Sequence, residues 1–199
     1  TKEAFKISAA PSPPNISYFT PLCIISYLNN SKSNISLEWS CGSSFFAILK
    51  SLNIEKESPA SGPERYPGYG EAKEVLLQAF TCNAVPNPIL WADLKPIYID
   101  CDKEDFNINI SDLKAKISTK TNVLVIQHTF GLPANMDEIM AIVRQNNLIL
   151  IEDCAHSLGA EWKGQKVGTF GKAAFFSFSR DKIISSVYGG IAVTNDEAI

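Results

Sequence analysis

Three stretches of this chain carry side chains whose types and spacing could do chemistry. The apolar run Leu148 to Ile151 leads into Glu152-Asp153-Cys154-Ala155-His156. A second run, Ala173 to Phe178, contains Ser177 and leads into Ser179-Arg180-Asp181-Lys182, with Tyr188-Gly189-Gly190 just beyond. A third stretch, Cys41-Gly42-Ser43-Ser44, precedes residues of helical spacing. Taken singly these are ordinary. A lone lysine is most often a solvated surface residue, because burying its charge is costly. A lone aspartate after a strand is most often a turn or cap, and serine is a common helix N-cap without any ligand. Together they offer an amine, a carboxylate, an imidazole, hydroxyls and an amide-rich turn.

That set meets the needs of pyridoxal 5'-phosphate. Its aldehyde takes a lysine amine, its ring nitrogen needs an acid to stay protonated, and its phosphate needs a dianion site. Asp153 would serve the nitrogen, Lys182 the aldehyde, and Ser43, Ser44 and Ser177 the phosphate. The helix after Ser44 would aim its free N–H groups and the positive end of its dipole at that phosphate.

The elements that must position these groups alternate. Continuous apolar runs read as buried strands at Val75–Leu77, Pro96–Asp100, Asn122–Gln127, Leu148–Ile151, Ala173–Phe178 and Ile191–Thr194. Helical spacing runs over Phe45–Leu52, Asn83–Trp91, Ser111–Ile117 (opened by a serine cap) and Met136–Gln145, where Ile139, Ile142 and Val143 share a face. Apolar strands separated by helices predict an α/β fold, with a doubly wound, mostly parallel sheet covered by helices on both faces. Ligands bind such sheets at the carboxyl ends of the strands. Residues 1–38, rich in Ser, Asn and Pro, read as irregular. The stretch Glu55–Gly70 reads as a surface loop.

Composition narrows the classes. The chain has 199 residues, 45% of them hydrophobic, and a net charge of −3. Such a chain can bury a core, and it lacks the basic block that gripping nucleic acid requires. No apolar run reaches the roughly 18 residues that cross a bilayer. Five cysteines without a CxxC pair and only two histidines make neither a disulfide framework nor a metal site, so none is expected. A reducing cytoplasm is the expected setting. Cys154 and His156 beside Asp153 could be imagined as a thiol-protease arrangement, but no oxyanion turn accompanies them. No GxGxxG opens a helix, so a dinucleotide site is weak, and Gly164, Gly168 and Gly171 read as a turn instead.

The run IEDCAHSLGAEWKGQKVGTFGKAAFFSFSRDKIISSVYGGIAVTNDE resembles the signature segment of the DegT/DnrJ/EryC1/StrS family. The segments FTCNAVPNPILWADLKPIYIDCD and VIQHTFGLPANMDEIMAI are similar to that family's pattern too, in the same order. The resemblance covers roughly residues 38 to 199. It implies the large domain of a fold-type I, aspartate-aminotransferase-like enzyme that moves an amino group from an amino acid, glutamate, to a keto-sugar linked to a nucleotide. Such work belongs to polysaccharide and amino-sugar biosynthesis. It implies Lys182 as the lysine that carries pyridoxal 5'-phosphate and moves the proton, Asp153 at the ring nitrogen and His156 at the 3-hydroxyl. Ser177 would hold the phosphate, with Gly42, Ser43 and Ser44 in the position of the family's phosphate turn. Cys82 stands where many members place an aromatic ring against the pyridine.

The resemblance also implies a homodimer and a small C-terminal domain beyond a partial cofactor-binding domain at 39–199. Two alternatives stand beside transamination. One is a sugar dehydratase that uses the same cofactor and typically lacks this lysine. The other is an inactive piece of the family.

Overall fold

A computed structural model describes residues 8–9, 34–38, 40–52, 54 and 73–196. The Glu55–Gly70 loop and most of residues 1–38 lie outside the described residues. Ten strands are described: β1 (Ser8–Ala9), β2 (Asn34–Glu38), β3 (Glu74–Gln78), β4 (Lys95–Ile99), β5 (Thr121–Gln127), β6 (Ile149–Asp153), β7 (Glu161–Trp162), β8 (Gln165–Lys166), β9 (Ala173–Ser177) and β10 (Gly190–Thr194). Four α-helices lie among them: α1 (Cys41–Ser51), α2 (Pro86–Trp91), α3 (Ile110–Lys116) and α4 (Met136–Gln145).

Eight strands form one sheet in the order β1-β2-β10-β9-β6-β5-β3-β4. From β9 to β4 every pairing is parallel. β10 runs antiparallel to both β9 and β2, and β1 pairs parallel with β2. The mostly parallel sheet matches the expectation. The strand at 34–38 does not, since that stretch read as irregular. Its five residues, NISLE, alternate polar and apolar as a strand does, a short signal passed over within a Ser- and Asn-rich stretch, and pairing with β10 completes the ladder.

Alternation along each strand divides the core in two. Val75, Leu77, Val123, Val125 and Ile151 face one side with Phe45, Ile48 and Leu49 of α1 and Ile89 of α2. Leu76, Leu124, Ile126 and Leu150 face the other with Leu113 of α3 and Met136, Ile139 and Ile142 of α4. Helices therefore cover both faces, and the central strands β3, β5, β6 and β9 are mostly apolar and buried because neither face meets water. On the first face the rings of Phe45 and Phe175 stack at 4.9 Å, which pins α1 against β9.

Local chemistry explains the ends of the helices. Two prolines do not break α2, because they sit in its first turn, where backbone N–H groups have no intrahelical partner anyway. α3 is capped by Asn109, whose side chain accepts the N–H of Asp112 at 2.9 Å, and not by the serine expected from the sequence. α4 matches its predicted span and is capped by Asn135.

The antiparallel return of β10 decides where the site can be. Gly190 pairs with Ser177 on one side and Glu38 on the other, at the carboxyl edge of the sheet. The chain leaving β2 at that edge therefore starts α1 beside the end of β9. Gly190 has no room for a side chain, since a Cβ would lie 2.5 Å from the carbonyl of Ser40 and 2.6 Å from the nitrogen of Cys41. Gly190→Ala is expected to push the start of α1 away and to cost about 1–3 kcal/mol, read as a lower urea midpoint. An unchanged midpoint would mean that α1 yields without loss.

Candidate active site

The carboxyl ends of the parallel strands lie along this edge, and the predicted residues sit at three of them or on α1. β6 ends in Asp153, which is 2% exposed. One carboxyl oxygen accepts the N–H of Ala155 at 3.0 Å. Desolvation pushes this acid up to about 6, against the opposing pull of that hydrogen bond, His128 and Lys182.

β9 ends in Ser177, and the turn beyond it carries Lys182 back over the edge. The Lys182 amine lies 3.1 Å from Nε2 of His156 and 2.9 Å from the carboxylate of Asp181, and its side chain is 12% exposed. His156 is held below its ordinary range, first by burial and then by the neighbouring Lys182 charge, with Asp181 pulling the other way. Its Nδ1 is buried with no hydrogen-bond partner among the described residues.

Ser177 is 5% exposed and shares a 2.9 Å hydrogen bond with the hydroxyl of Ser179. Cys41, the first residue of α1, is hydrogen-bonded to Ser177 and lies within electrostatic reach of Asp153, Cys82 and Lys182. That hydrogen bond ties the start of α1 to the end of β9. Burial pushes the Cys41 thiol up, so it is a packing and hydrogen-bonding group at neutral pH.

The turn before α1 has a different division of labour from the expected one. Ser40 is the N-cap and accepts the N–H of Ser43 at 3.1 Å, with the Ser43 hydroxyl also 3.1 Å away. Ser44 is fully buried and its hydroxyl donates to the Ser40 carbonyl, so that hydroxyl is already engaged. Gly42 is buried, and a Cβ there would come within 3.2 Å of the Ala84 carbonyl, which lets the β3–α2 loop close over the turn. Cys82, on that loop, is exposed, and its sulfur accepts the N–H of Ala84 at 3.5 Å.

The structure also shows groups that sequence reasoning missed. His128 and Glu152 are fully buried and 3.1 Å apart. Nδ1 of His128 accepts the N–H of Ala134, which leaves Nε2–H to donate to Glu152. The same carboxylate accepts the N–H groups of Gly168, Phe170 and Gly171, each at 2.7 Å. This pair ties the turn before β9 beneath Asp153. His128, Glu152 and Cys154 converge as a metal site would. Their ring nitrogens and carboxylate oxygens are already engaged, however, and Cys154 packs on Val167 and Phe176. That burial, which also raises the thiol well above its ordinary range, removes Cys154 as a nucleophile.

A second missed group is aromatic. Phe80, Phe106 and Phe130 come from the loops after β3, β4 and β5, contact one another at 5.5–6.3 Å between centroids, and are largely exposed. Nothing local marked them, since three strand ends must first be brought together.

The site fits the cofactor that the sequence pointed to. A buried acid with one oxygen bonded to the backbone can meet a cationic ring nitrogen. An amine and an imidazole with an orphaned nitrogen stand beside it. A helix N-terminus flanked by Ser43 and Ser177 can meet a phosphate. The open, mostly parallel α/β sheet with these residues at its carboxyl edge matches the fold-type I architecture expected from the sequence. The chain belongs to the DegT/DnrJ/EryC1/StrS aminotransferase family, whose family model matches residues 65–199.

Among its relatives, GDP-perosamine synthase of Escherichia coli O157:H7 is 38% identical over 132 residues, 66% of this chain and 36% of the synthase. The X-ray structure of an aminotransferase from Psychrobacter cryohalolentis superposes with a TM-score of 0.75 at 29% identity, over 89% of this chain and 41% of that one. An E. coli GDP-4-keto-6-deoxy-D-mannose-3-dehydratase with bound hydrated PLP gives 0.74 at 25% identity, over 88% and 42%. The chain thus spans about two fifths of the length of these proteins. Among the described residues no helix is long and apolar enough to cross a membrane.

Proposed function

We propose that this protein is a pyridoxal 5'-phosphate-dependent aminotransferase that moves an amino group from glutamate to a keto-sugar carried on a nucleotide. The observation that carries the reading is the Lys182 amine, held 3.1 Å from His156 at the same strand edge as the buried Asp153. The relatives' sugar substrates support the substrate class. When bound, the cofactor supplies an aldehyde to take up the amino group and a protonated ring to accept electrons from the substrate carbon.

This chain's residues do the rest. Asp153 keeps a proton on the ring nitrogen, which a neutral side chain could not do. Lys182 moves a proton at the substrate carbon. His156, with Nε2 towards the amine, orients it. Ser177, Ser43 and the first N–H groups of α1 fix the phosphate, and with it the register of the ring. Cys82 takes the place of a stacking partner but has no π face. The same reading places the enzyme in the cytoplasm and pairs it as a homodimer, which exposed Ile183 and Tyr188 near the site would serve.

A dehydratase remains the second reading, because one of the similar structures is such an enzyme. Lys182 favours transamination. The test is borohydride reduction of the cofactor-loaded protein followed by peptide mapping, with the pyridoxyl mass expected on Lys182 alone. Lys172 and Lys163 should carry none. They are paired with Asp196 and Asp137, and Lys172 precedes β9 at the opposite edge of the sheet. Label spread over several lysines, or missing from Lys182, would overturn the assignment. Transfer of nitrogen-15 from glutamate to the sugar then separates transamination from dehydration.

A further inference from the structure

We infer that Phe130 is a positioning residue, holding the imidazole of His156 in the orientation from which its Nε2 meets the Lys182 amine. The inference rests on the reading above, in which Lys182 and His156 serve one bound group. The Phe130 and His156 rings lie nearly parallel, 15° apart, with centroids separated by 5.8 Å. On its far edge the phenyl ring meets Phe80 at 6.0 Å and Phe106 at 6.3 Å, both edge-on, so it has little freedom to swing away.

The backbone behind that ring is unusual. Phe130 sits at φ 53 and ψ 24, a left-handed conformation that a bulky residue adopts at a cost. Such a cost persists only where neighbouring structure over-determines it. Here Thr129 N–H donates to the side chain of Asn107 at 2.9 Å, and the Thr129 hydroxyl donates to the Phe106 carbonyl at 3.1 Å. The same hydroxyl accepts from Gln78 at 2.9 Å and Gln127 at 3.1 Å. Gly131, at φ 85, lets the turn press against residue 156, since a Cβ there would lie 3.3 Å from the His156 carbonyl. Three strand ends thus hold one strained residue that is 64% exposed. Burial alone does not account for a phenylalanine in that place. Its ring contacts do, with the imidazole on one side and Phe80 and Phe106 on the other.

The ring shields one face of His156 from water and disfavours the charged imidazolium. Lys182, which acts in the same direction, and Asp181, which opposes it, are the charged groups that act on His156. Removing the phenyl group rehydrates the imidazole and frees it to rotate away from the amine.

The chain has only two histidines, so the measurement is direct. Imidazole NMR resonances of the cofactor-free protein are followed against pH, with His156→Gln assigning which set is which. The His156 midpoint is expected below the ordinary value of about 6.5 in the parent, and higher by about half a unit or more in Phe130→Ala. Phe130→Gly, which relaxes the left-handed backbone, should give the same rise, and Phe130→Tyr should keep the parent midpoint. His128, buried with both ring nitrogens bonded, reports the fold, and its shifts should stay put. An unchanged His156 midpoint in both the Ala and Gly variants, with His128 unmoved, would overturn the inference. Because no cofactor is present, this result stands apart from borohydride labelling. Failure of the label at Lys182 would sink the cofactor reading and leave the role of Phe130 towards His156 intact.

Discussion

Replacing Asp153 with asparagine should make the cofactor-free protein more stable at neutral pH and sharply slow transamination by the cofactor-loaded protein. The carboxyl is 2% exposed, and burial lifts it from 3.8 to about 6. The folded state therefore holds this proton more tightly than the unfolded chain does. Below about pH 4 both states are protonated and the site costs nothing. Between about 4 and 6 the unfolded chain ionises first, so stability falls as pH rises through that window. Above 6 the full penalty, about 3 kcal/mol, applies. Asparagine has nearly the same shape and nothing to ionise, so urea unfolding of the variant should lose this pH dependence. The same amide cannot keep a ring nitrogen protonated. Transamination should fall by roughly a hundred- to a thousand-fold, in line with the loss of one electrostatic partner in a shielded site. Equal stability of the two proteins from pH 4 to 7 would refute the burial argument. Activity within tenfold of the parent would refute the role.

Lys182→Ala should have the larger effect on turnover, a loss of roughly ten-thousand-fold, because the alanine can neither carry the cofactor nor move a proton. The fold should survive, since among the described residues the amine's hydrogen bonds go to His156 and Asp181 alone. Cofactor should still bind through Ser177 and the start of α1, more weakly, and wash out on gel filtration. The yellow colour of the covalent form should be gone. Lys172→Ala and Lys163→Ala, made in parallel, should turn over like the parent. Activity of Lys182→Ala within tenfold of the parent would send this residue back to the ordinary surface lysines.

Both predictions rest on residues that were legible without coordinates, and the reason is local. Asp153 and Lys182 follow apolar runs, and a polar group at the carboxyl end of a buried strand stands out against its own neighbours in sequence. The α4 helix was readable to the residue because its apolar face and its polar face alternate within ten residues. The apolar strands and intervening helices announced a sheet covered on both faces for the same reason.

Pairing partners and burial were not legible, because they depend on residues far apart along the chain. Nothing in Gly190–Thr194 says that it runs antiparallel, yet that reversal carries Gly190 to the site edge and sets α1 beside Ser177. Asn34–Glu38 became a strand because β10 offered it an edge. Ser44 looked like a phosphate ligand in sequence, but helix geometry turned its hydroxyl to its own backbone and left Cys41 facing Ser177. Phe80, Phe106 and Phe130 are single aromatic residues in three separate loops, and only the closure of β3, β4 and β5 into one sheet makes them a cluster. Propensity, caps and periodicity are set within a few residues and survive in the sequence. What covers a side chain, and what it faces, is set by loop closures across the chain, and only the tertiary structure decided it.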